Sequence, residues 1–315
     1  MPAKIIDGNL IAEKIKSELK SELGTLKLKT GKPPVLAAVQ VGENPASKVY
    51  IRNQKQYCEE TGIEYHLVQT DENVGEEKIQ DEISKLNSDE DVTGIILQMP
   101  LPQSVNPKKL QMQIASSKDV EGITPPNLGM LVYSEISPVV APCTALSVIE
   151  CIKSTEVEIK GKETVIVGHS EIVGKPVTLM LLSSLLSSAT PTVCHIATKD
   201  LKTHTGRADI LIVAVGKPGL IRGDMVKEGA IIIDVGINRI PLLDEKGNKV
   251  IDEKTGKPKF KTVGDVAFDE VLPKASFITP VPGGVGAVTT VMLIKNLLNL
   301  WKMQLGESGI THKIL

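Results

Sequence analysis

The sequence predicts an α/β protein built as two domains. Two stretches of the chain, residues 7–98 and 164–235, each alternate short apolar runs with segments of helical periodicity. That alternation is the pattern of a layered fold with mainly parallel strands. A length of 315 residues exceeds what one hydrophobic core usually serves. With 41% hydrophobic and 23% charged residues, the composition is that of an ordinary globular chain.

In the first stretch Ile11, Ile15, Leu19 and Leu23 recur every fourth residue, which predicts an amphipathic helix over 7–23. A strand follows at 35–41. Residues 44–61 read as a helix with Pro45 in its first turn and Gly62 after its end. Then come a strand near 65–69, a helix near 76–86 and a strand at 94–98. In the second stretch strands are expected at 164–168, 192–195, 209–215 and 230–235, with helices near 175–186 and 199–207. Four short apolar runs at this spacing suit a buried parallel sheet. The charged insert between Ile240 and Thr262 carries two glycine-containing turn signals and reads as an exposed hairpin. The last helix, 288–301, is apolar on most sides and must be buried. Domains are accordingly expected at 1–147 plus 288–315, and at 148–287.

Bulk properties exclude several function classes. A net charge of −2 offers no broad attraction for nucleic acid or an anionic membrane. The longest apolar runs are far too short to span a bilayer, and MPAKIIDGNL lacks the layout of a signal peptide. Cys58, Cys143, Cys151 and Cys194 are scattered without a CxxC pair. No metal site is expected, and the four read as buried free thiols of a cytoplasmic protein.

The run VIVGHSEIVGKP, residues 165–176, joins a predicted strand to a predicted helix. Small residues at Gly168, Ser170 and Gly174 let the backbone approach a pyrophosphate, and the N–H groups of a helix start attract it. The spacing departs from G-x-G-x-x-G, and alone the run is equally a tight strand-to-helix turn. Two later turns strengthen the ligand reading. The AVGKPG run, with Gly216 and Gly219, and the DVGIN run, with Gly236 and Asn238, follow strand ends, where open α/β sheets bind their ligands. The 148–287 domain is therefore read as a Rossmann domain for a nicotinamide dinucleotide. An NAD site usually has an acid at the end of its second strand. Here that position falls at His195–Ile196, with no acid until Asp200. The choice leans to NADP with NAD open. His169 would serve as a phosphate partner only when protonated.

Several motifs occur in a family order: SKVY ending at Tyr50, GIILQMPLP from Gly94, KDVEG from Lys118, PCT from Pro142, GHS from Gly168 and PVPGGVG from Pro280. In this order they resemble the FolD family, the methylenetetrahydrofolate dehydrogenase/methenyltetrahydrofolate cyclohydrolases, over nearly the whole chain. The resemblance implies an N-terminal catalytic domain, a C-terminal Rossmann domain, a folate cleft between them, and a homodimer. It implies hydride transfer from 5,10-methylenetetrahydrofolate to a nicotinamide cofactor, usually NADP, and in many members hydrolysis of the methenyl product to 10-formyltetrahydrofolate. Tyr50 would stack on the aminobenzoyl group, Gln98 would sit at the reacting carbon, and Glu121 would hold the pterin edge. Pro100, Pro280, Gly283 and Gly284 would complete the folate site. The cofactor set would be Gly168, His169, Ser170, Val173, Gly174, His195, Ile196, Ala214, Gly216, Gly236, Ile237 and Thr289. The Met99–Pro100 and Val281–Pro282 bonds are expected to be cis.

One departure bears on mechanism. The family pattern is Tyr-x-x-x-Lys, whose two side chains share a helix face. Four residues after Tyr50 this chain has Gln54, and its lysine comes one later at Lys55, rotated by about 100°. A neutral amide cannot act as the acid–base group that a lysine amine can be. The expectation is a dehydrogenase with weak or absent cyclohydrolase activity. The alternatives are a fully bifunctional enzyme and a non-catalytic folate- or dinucleotide-binding paralogue. Other departures are Glu121 for Asp, Ala145 and Ser147 after PCT, Ala287–Val288 after PVPGGVG, His169 for Arg, and Ile196–Ala197 for Ser and a basic residue.

Overall fold

The computed structural model describes residues 3–133, 139–184, 187–244, 246–253 and 256–307. In chain order the elements begin with β1 (Lys4–Ile5), α1 (Gly8–Thr30), β2 (Val35–Val41), α2 (Pro45–Thr61), β3 (Glu64–Thr70), α3 (Glu76–Ser88) and β4 (Gly94–Leu97). Short helices α4 (Pro107–Gln111) and α5 (Pro125–Met130) follow, then α6 (Cys143–Lys153), β5 (Glu163–Val167), α7 (Gly174–Leu181), β6 (Thr190–Cys194), α8 (Leu201–Thr205) and β7 (Ile210–Val213). The chain continues with β8 (Ile231–Asp234), β9 (Asn238–Pro241), β10 (Phe260–Val263), α9 (Phe268–Val271), β11 (Phe277–Ile278) and α10 (Val285–Gln304). The chain divides into two compact units, Ala12–Leu146 with Thr289–Leu315, and Met1–Ile11 with Ser147–Val288.

The first unit contains a parallel three-stranded sheet in the order β3-β2-β4. Every residue of β2 is buried, as a central strand covered on both faces requires. Val35, Ala37, Val39, Ile95 and Leu97 point to one face, where they pack with Ile79 and Ile83 of α3 and Leu110 of α4. Leu36, Ala38 and Ile96 are buried on the other. The edge strand β3 has mostly exposed, polar residues, which suits its position. Ala12, Ile15, Leu19, Leu23 and Leu26 form the buried stripe of α1, one turn longer than the periodicity predicted. Leu293, Ile294, Leu297, Leu298, Leu300 and Trp301 of α10 are buried as its composition demands. A Cβ at Gly94 would collide with Val120 and Leu297, so β4 and α10 approach closely only because residue 94 is glycine.

The second unit is a six-stranded parallel sheet in the order β1-β11-β8-β7-β5-β6. Its core gathers Val165, Val167, Leu211, Val213, Ile232 and Ile278. Residues 3–11 cluster with this unit, whereas the expected range put them with 12–147. The cause is β1, whose flanking amides bond to β11: Lys4 N–H donates to Ser276 O at 2.8 Å and Ile6 N–H to Ile278 O at 2.9 Å. A two-residue strand has no periodicity to read. Two helices are shorter than expected. α7 stops at Leu181, and Leu185 and Leu186, which the expected helix included, lie outside the described residues. α8 begins at Leu201 because Asp200 caps it. The 240–262 insert is a hairpin: β9 and β10 pair antiparallel from Asn238↔Val263 to Pro241↔Phe260, and the arm continues through the bridges Leu243↔Lys249 and Ile251↔Pro258. Glu245, Lys254 and Thr255 of that insert lie outside the described residues.

Candidate active site

In the first unit the site is built on α2, the ends of β3 and β4, and the segment after β4. Tyr50 stands on α2 and is 55% exposed, so its ring is available to a ligand. One turn later Gln54 is only 7% exposed. Its Oε1 accepts from Gln98 Nε2 at 2.6 Å and from the Tyr65 hydroxyl at 3.3 Å. Gln98 follows β4, is 4% exposed, and is pinned to β2 by its own N–H, which donates to Val39 O at 2.8 Å. Lys55 is on the outer side of the helix, 62% exposed, with Glu59 at 3.9 Å. Pro100 is exposed beside Met99, and the Met99–Pro100 bond is cis.

The KDVEG segment divides its two acids by environment. Asp119 is a structural acceptor: Gly122 N–H donates to it at 2.9 Å, Thr124 N–H at 2.8 Å and Asn127 Nδ2 at 2.9 Å. Glu121 has no such company. Although the residue is partly exposed by area, its Oε2 is sealed and takes no hydrogen bond. Burial, with a smaller push from Asp119, raises its carboxyl to about 8. A sealed acceptor lacking a donor is the exception among buried polar groups. Asn296 of α10 clamps the neighbouring backbone, donating to Val120 O and Ala141 O, both at 2.8 Å.

In the second unit the turn after β5 is shaped by two glycines. Gly168 has φ of +126°, and a Cβ there would strike Ala214 O. A Cβ on Gly174 would strike Gly168 O, so β5 and the start of α7 close on one another. Ser170 Oγ accepts from Val173 N–H at 3.2 Å and tightens the turn. Val173 and Gly174 are buried, and Ala214 is half-buried. The exposed rings of His169 and His195 lie 5.1 Å apart. Ile172, Ile196, Val215 and Ile237 are exposed apolar residues on turns at the carboxyl ends of β5, β6, β7 and β8. Apolar side chains at this edge are a surface that the flat rings of a dinucleotide would cover, so the residues present fit that ligand.

Two aspartates that sequence reasoning did not single out hold the later turns. Asp265 accepts from Val215 N–H at 2.7 Å, Gly216 N–H at 2.9 Å and Asn238 Nδ2 at 2.8 Å. Asp234 accepts from Gly236, Asp265 and Val266 N–H, each at 2.9 Å. Burial pushes the Asp234 carboxyl up to about 6. The available signal was an acid beside a glycine at a strand end, as in Asp234-Val-Gly236 and Gly264-Asp265. Asp200 is occupied: in the left-handed region at φ of 48°, it caps α8 through the Thr203 N–H and hydroxyl.

Pro280, Gly283 and Gly284 form a loop against the start of α1. Gly8 N–H donates to Gly283 O at 2.8 Å, and a Cβ at Gly8 would collide with Gly284 O. The Val281–Pro282 bond is cis. Thr289 lies on α10 in the first unit. The structure thus brings Gln54 and Gln98 together, with Tyr65 as an unforeseen third member. It groups Gly168, Ser170, Gly174 and Ala214 in one turn and assembles the 280–284 loop on Gly8. Glu121 keeps separate neighbours.

The family model described as tetrahydrofolate dehydrogenase/cyclohydrolase, catalytic domain, matches residues 6–121, and the model for its NAD(P)-binding domain matches residues 142–305. A bifunctional protein FolD of Moorella thermoacetica is 45% identical over 94% of this chain and 98% of its own. The crystal structure of the bifunctional enzyme FolD from Campylobacter jejuni is similar with a TM-score of 0.85 and 43% identity, over 96% of this chain and 99% of that one. The Trypanosoma brucei FolD, solved with NADP and an inhibitor, gives a TM-score of 0.87 at 35% identity, over 97% and 99%. The order of motifs, the parallel sheets and these matches agree, and the chain belongs to the FolD family of tetrahydrofolate dehydrogenase/cyclohydrolases.

Proposed function

We propose that this protein is a 5,10-methylenetetrahydrofolate dehydrogenase that favours NADP and whose cyclohydrolase step is weak or lost. The observation that carries the second half is the state of residue 54. Gln54 is buried and tied to Gln98 and Tyr65, while the adjacent Lys55 faces solvent beside Glu59. Among the described residues of α2, no lysine shares the face on which Tyr50 and Gln54 stand. Water activation at neutral pH wants a titratable group there, and a carboxamide is not one.

The dehydrogenation asks less of acid–base chemistry. When bound, the oxidised nicotinamide accepts a hydride from the folate methylene carbon; the chain supplies alignment and exclusion of water. Tyr50 stacks on the aminobenzoyl ring, Gln98 lies at the reacting carbon and Glu121 accepts from the pterin N–H groups. Pro100, Pro280, Gly283 and Gly284 shape the backbone around the folate. The turn of Gly168, Ser170, Val173 and Gly174 would hold the pyrophosphate, with Ala214, Gly216, Gly236, Ile237 and Thr289 lining the rest. The preference for NADP is supported by Asp200, whose carboxylate is spent on a helix cap and leaves the β6 end without an acid for a ribose 2′-hydroxyl. The exposed rings of His169 and His195 stand side by side there. The Trypanosoma brucei relative was solved with NADP. We further place the protein in the cytoplasm as a homodimer, without nucleic-acid or membrane partners.

A second reading, the fully bifunctional enzyme, is favoured by the names of relatives 41–45% identical to this chain. The deciding experiment compares wild type with Gln54→Lys. Each is assayed for NADP and NAD reduction by methylenetetrahydrofolate and for methenyltetrahydrofolate hydrolysis above its spontaneous rate. Cofactor reduction by both proteins with hydrolysis only in the variant supports the proposal. Ready hydrolysis by the wild type establishes the bifunctional reading, and absence of any NAD(P)H removes the dehydrogenase.

A further inference from the structure

We infer that Gln54 is a positioning residue which, held by Tyr65, turns the Gln98 carboxamide so that its carbonyl oxygen faces the reacting centre. The inference rests on the functional reading above, in which Gln98 borders the reacting carbon. Three elements meet at one oxygen: Gln54 Oε1, on α2, accepts from the Tyr65 hydroxyl of β3 at 3.3 Å and from Gln98 Nε2, beyond β4, at 2.6 Å.

The direction of these bonds follows from donor supply. Among the described residues the Tyr65 hydroxyl has no other acceptor. Burial raises its pKa, so it stays a protonated phenol at any working pH. Its hydrogen goes to Gln54, which sets Gln54 with its oxygen toward this junction. That oxygen in turn can only receive a hydrogen from Gln98, so the Gln98 NH2 group is turned inward. The carboxamide is planar, and its Oε1 is left on the other side. Among the described residues nothing donates to that atom, and it is not sealed from solvent.

A donor-only side chain at position 54 would demand the opposite. An ammonium cannot accept from an NH2 group, so it would draw the Gln98 oxygen inward and turn the NH2 group outward. Substitution at 54 therefore does more than delete an amine. It reverses the polarity that Gln98 presents.

The chemistry makes that polarity matter. In dehydrogenation the methylene C–H bond breaks, and its electron pair leaves with the hydrogen as hydride to the oxidised nicotinamide. The carbon remains in a cationic N–C–N amidinium. A fixed carbonyl dipole with its negative end toward this group stabilises charge as it develops, without reorganising at the moment of reaction. An outward NH2 group would oppose it.

The test is a double-mutant cycle on Tyr65→Phe and Gln98→Met, read as kcat and KM for dehydrogenation at saturating NADP. Tyr65→Phe removes the donor that fixes Gln54 but touches no substrate. It is expected to lower kcat about five-fold with little change in folate KM, the size of one lost hydrogen bond. In the Gln98→Met background the same change should have no further effect, because Tyr65 acts only through Gln98. Gln54→Glu, whose carboxylate accepts from both donors, should keep kcat above the pH at which it ionises. Wild-type kcat in Tyr65→Phe, or an equal loss with and without Gln98, overturns the inference while leaving the dehydrogenase standing. Absence of turnover in the wild type defeats both.

Discussion

Glu121 and Asp119 stand two residues apart, yet among the described residues only Asp119 has hydrogen-bond partners. Asp119 is satisfied by three donors, whereas Glu121 has a sealed oxygen and a carboxyl raised to about 8. In the proposed role the ionised form is the better acceptor for pterin N–H groups. The kcat/KM for the folate is therefore expected to rise with pH and level off above about 8, and Glu121→Gln should flatten the profile and lower the plateau. An unchanged profile in that variant would remove Glu121 from the folate site. The cysteines make a second residue-scale case. All four are buried thiols outside any disulfide, and burial pushes Cys58 and Cys151 up to about 12. Thiolate is the reactive form, so the folded protein should resist alkylation at neutral pH until it is denatured. Rapid labelling of the native chain, followed by mass spectrometry, would contradict that burial.

At the scale of elements, single side chains hold whole segments in place. Asn296 joins α10 to the backbone at Val120 and Ala141, and its removal takes the amide donor from both carbonyls, leaving Val120 O only the weak Cys143 thiol at 3.5 Å. Asn296→Ala should destabilise the first unit by about 1–3 kcal/mol, seen as a lower urea midpoint. The turn between β5 and α7 is equally specific. Gly168→Ala meets both a positive φ and Ala214 O, so dinucleotide affinity should fall at least ten-fold, roughly the effect of 1.4 kcal/mol of strain. Equilibrium fluorescence titration with NADPH would measure it, and wild-type affinity would show that the turn lies outside the cofactor site. Most elements were legible because their apolar spacing is set by strand and helix geometry. β1 was not, since two residues carry no period and its pairing with β11 spans the whole chain.

For the whole molecule, two buried acids set the direction of pH dependence. Glu121 and Asp234 have folded pKa values of about 8 and about 6, above their ordinary 4.5 and 3.8. Between those values the folded state binds more protons than the unfolded state, so stability is greatest below the lower value and is lost as pH rises through the higher one. Glu76 and Asp209, paired with Lys109 and Lys227, have lowered values and act oppositely, losing their contribution as pH falls through the acid range. Denaturant unfolding should therefore show greater stability near pH 5 than near pH 8.5. Glu121→Gln should remove the larger part of that difference. A stability that climbs from pH 5 to 8.5 would mean that these carboxyls are hydrated.

By itself the sequence determined the α/β class, the parallel sheets, the hairpin insert, the strand-to-helix turn after β5 and the family, because each is written in local spacing or in motifs of adjacent residues. It also located the missing lysine, since helical periodicity alone tells Gln54 from Lys55. Tertiary structure decided what local spacing cannot hold. Tyr65 reaches Gln54 from another element, Asp265 reaches back to the turn at Gly216, and Lys4–Ile5 join the sheet of the second unit. Hydrogen-bond partnership is a property of distance in space, and burial is a property of the packed whole. Which acid is satisfied and which has no donor among the described residues is therefore settled only when the chain has folded.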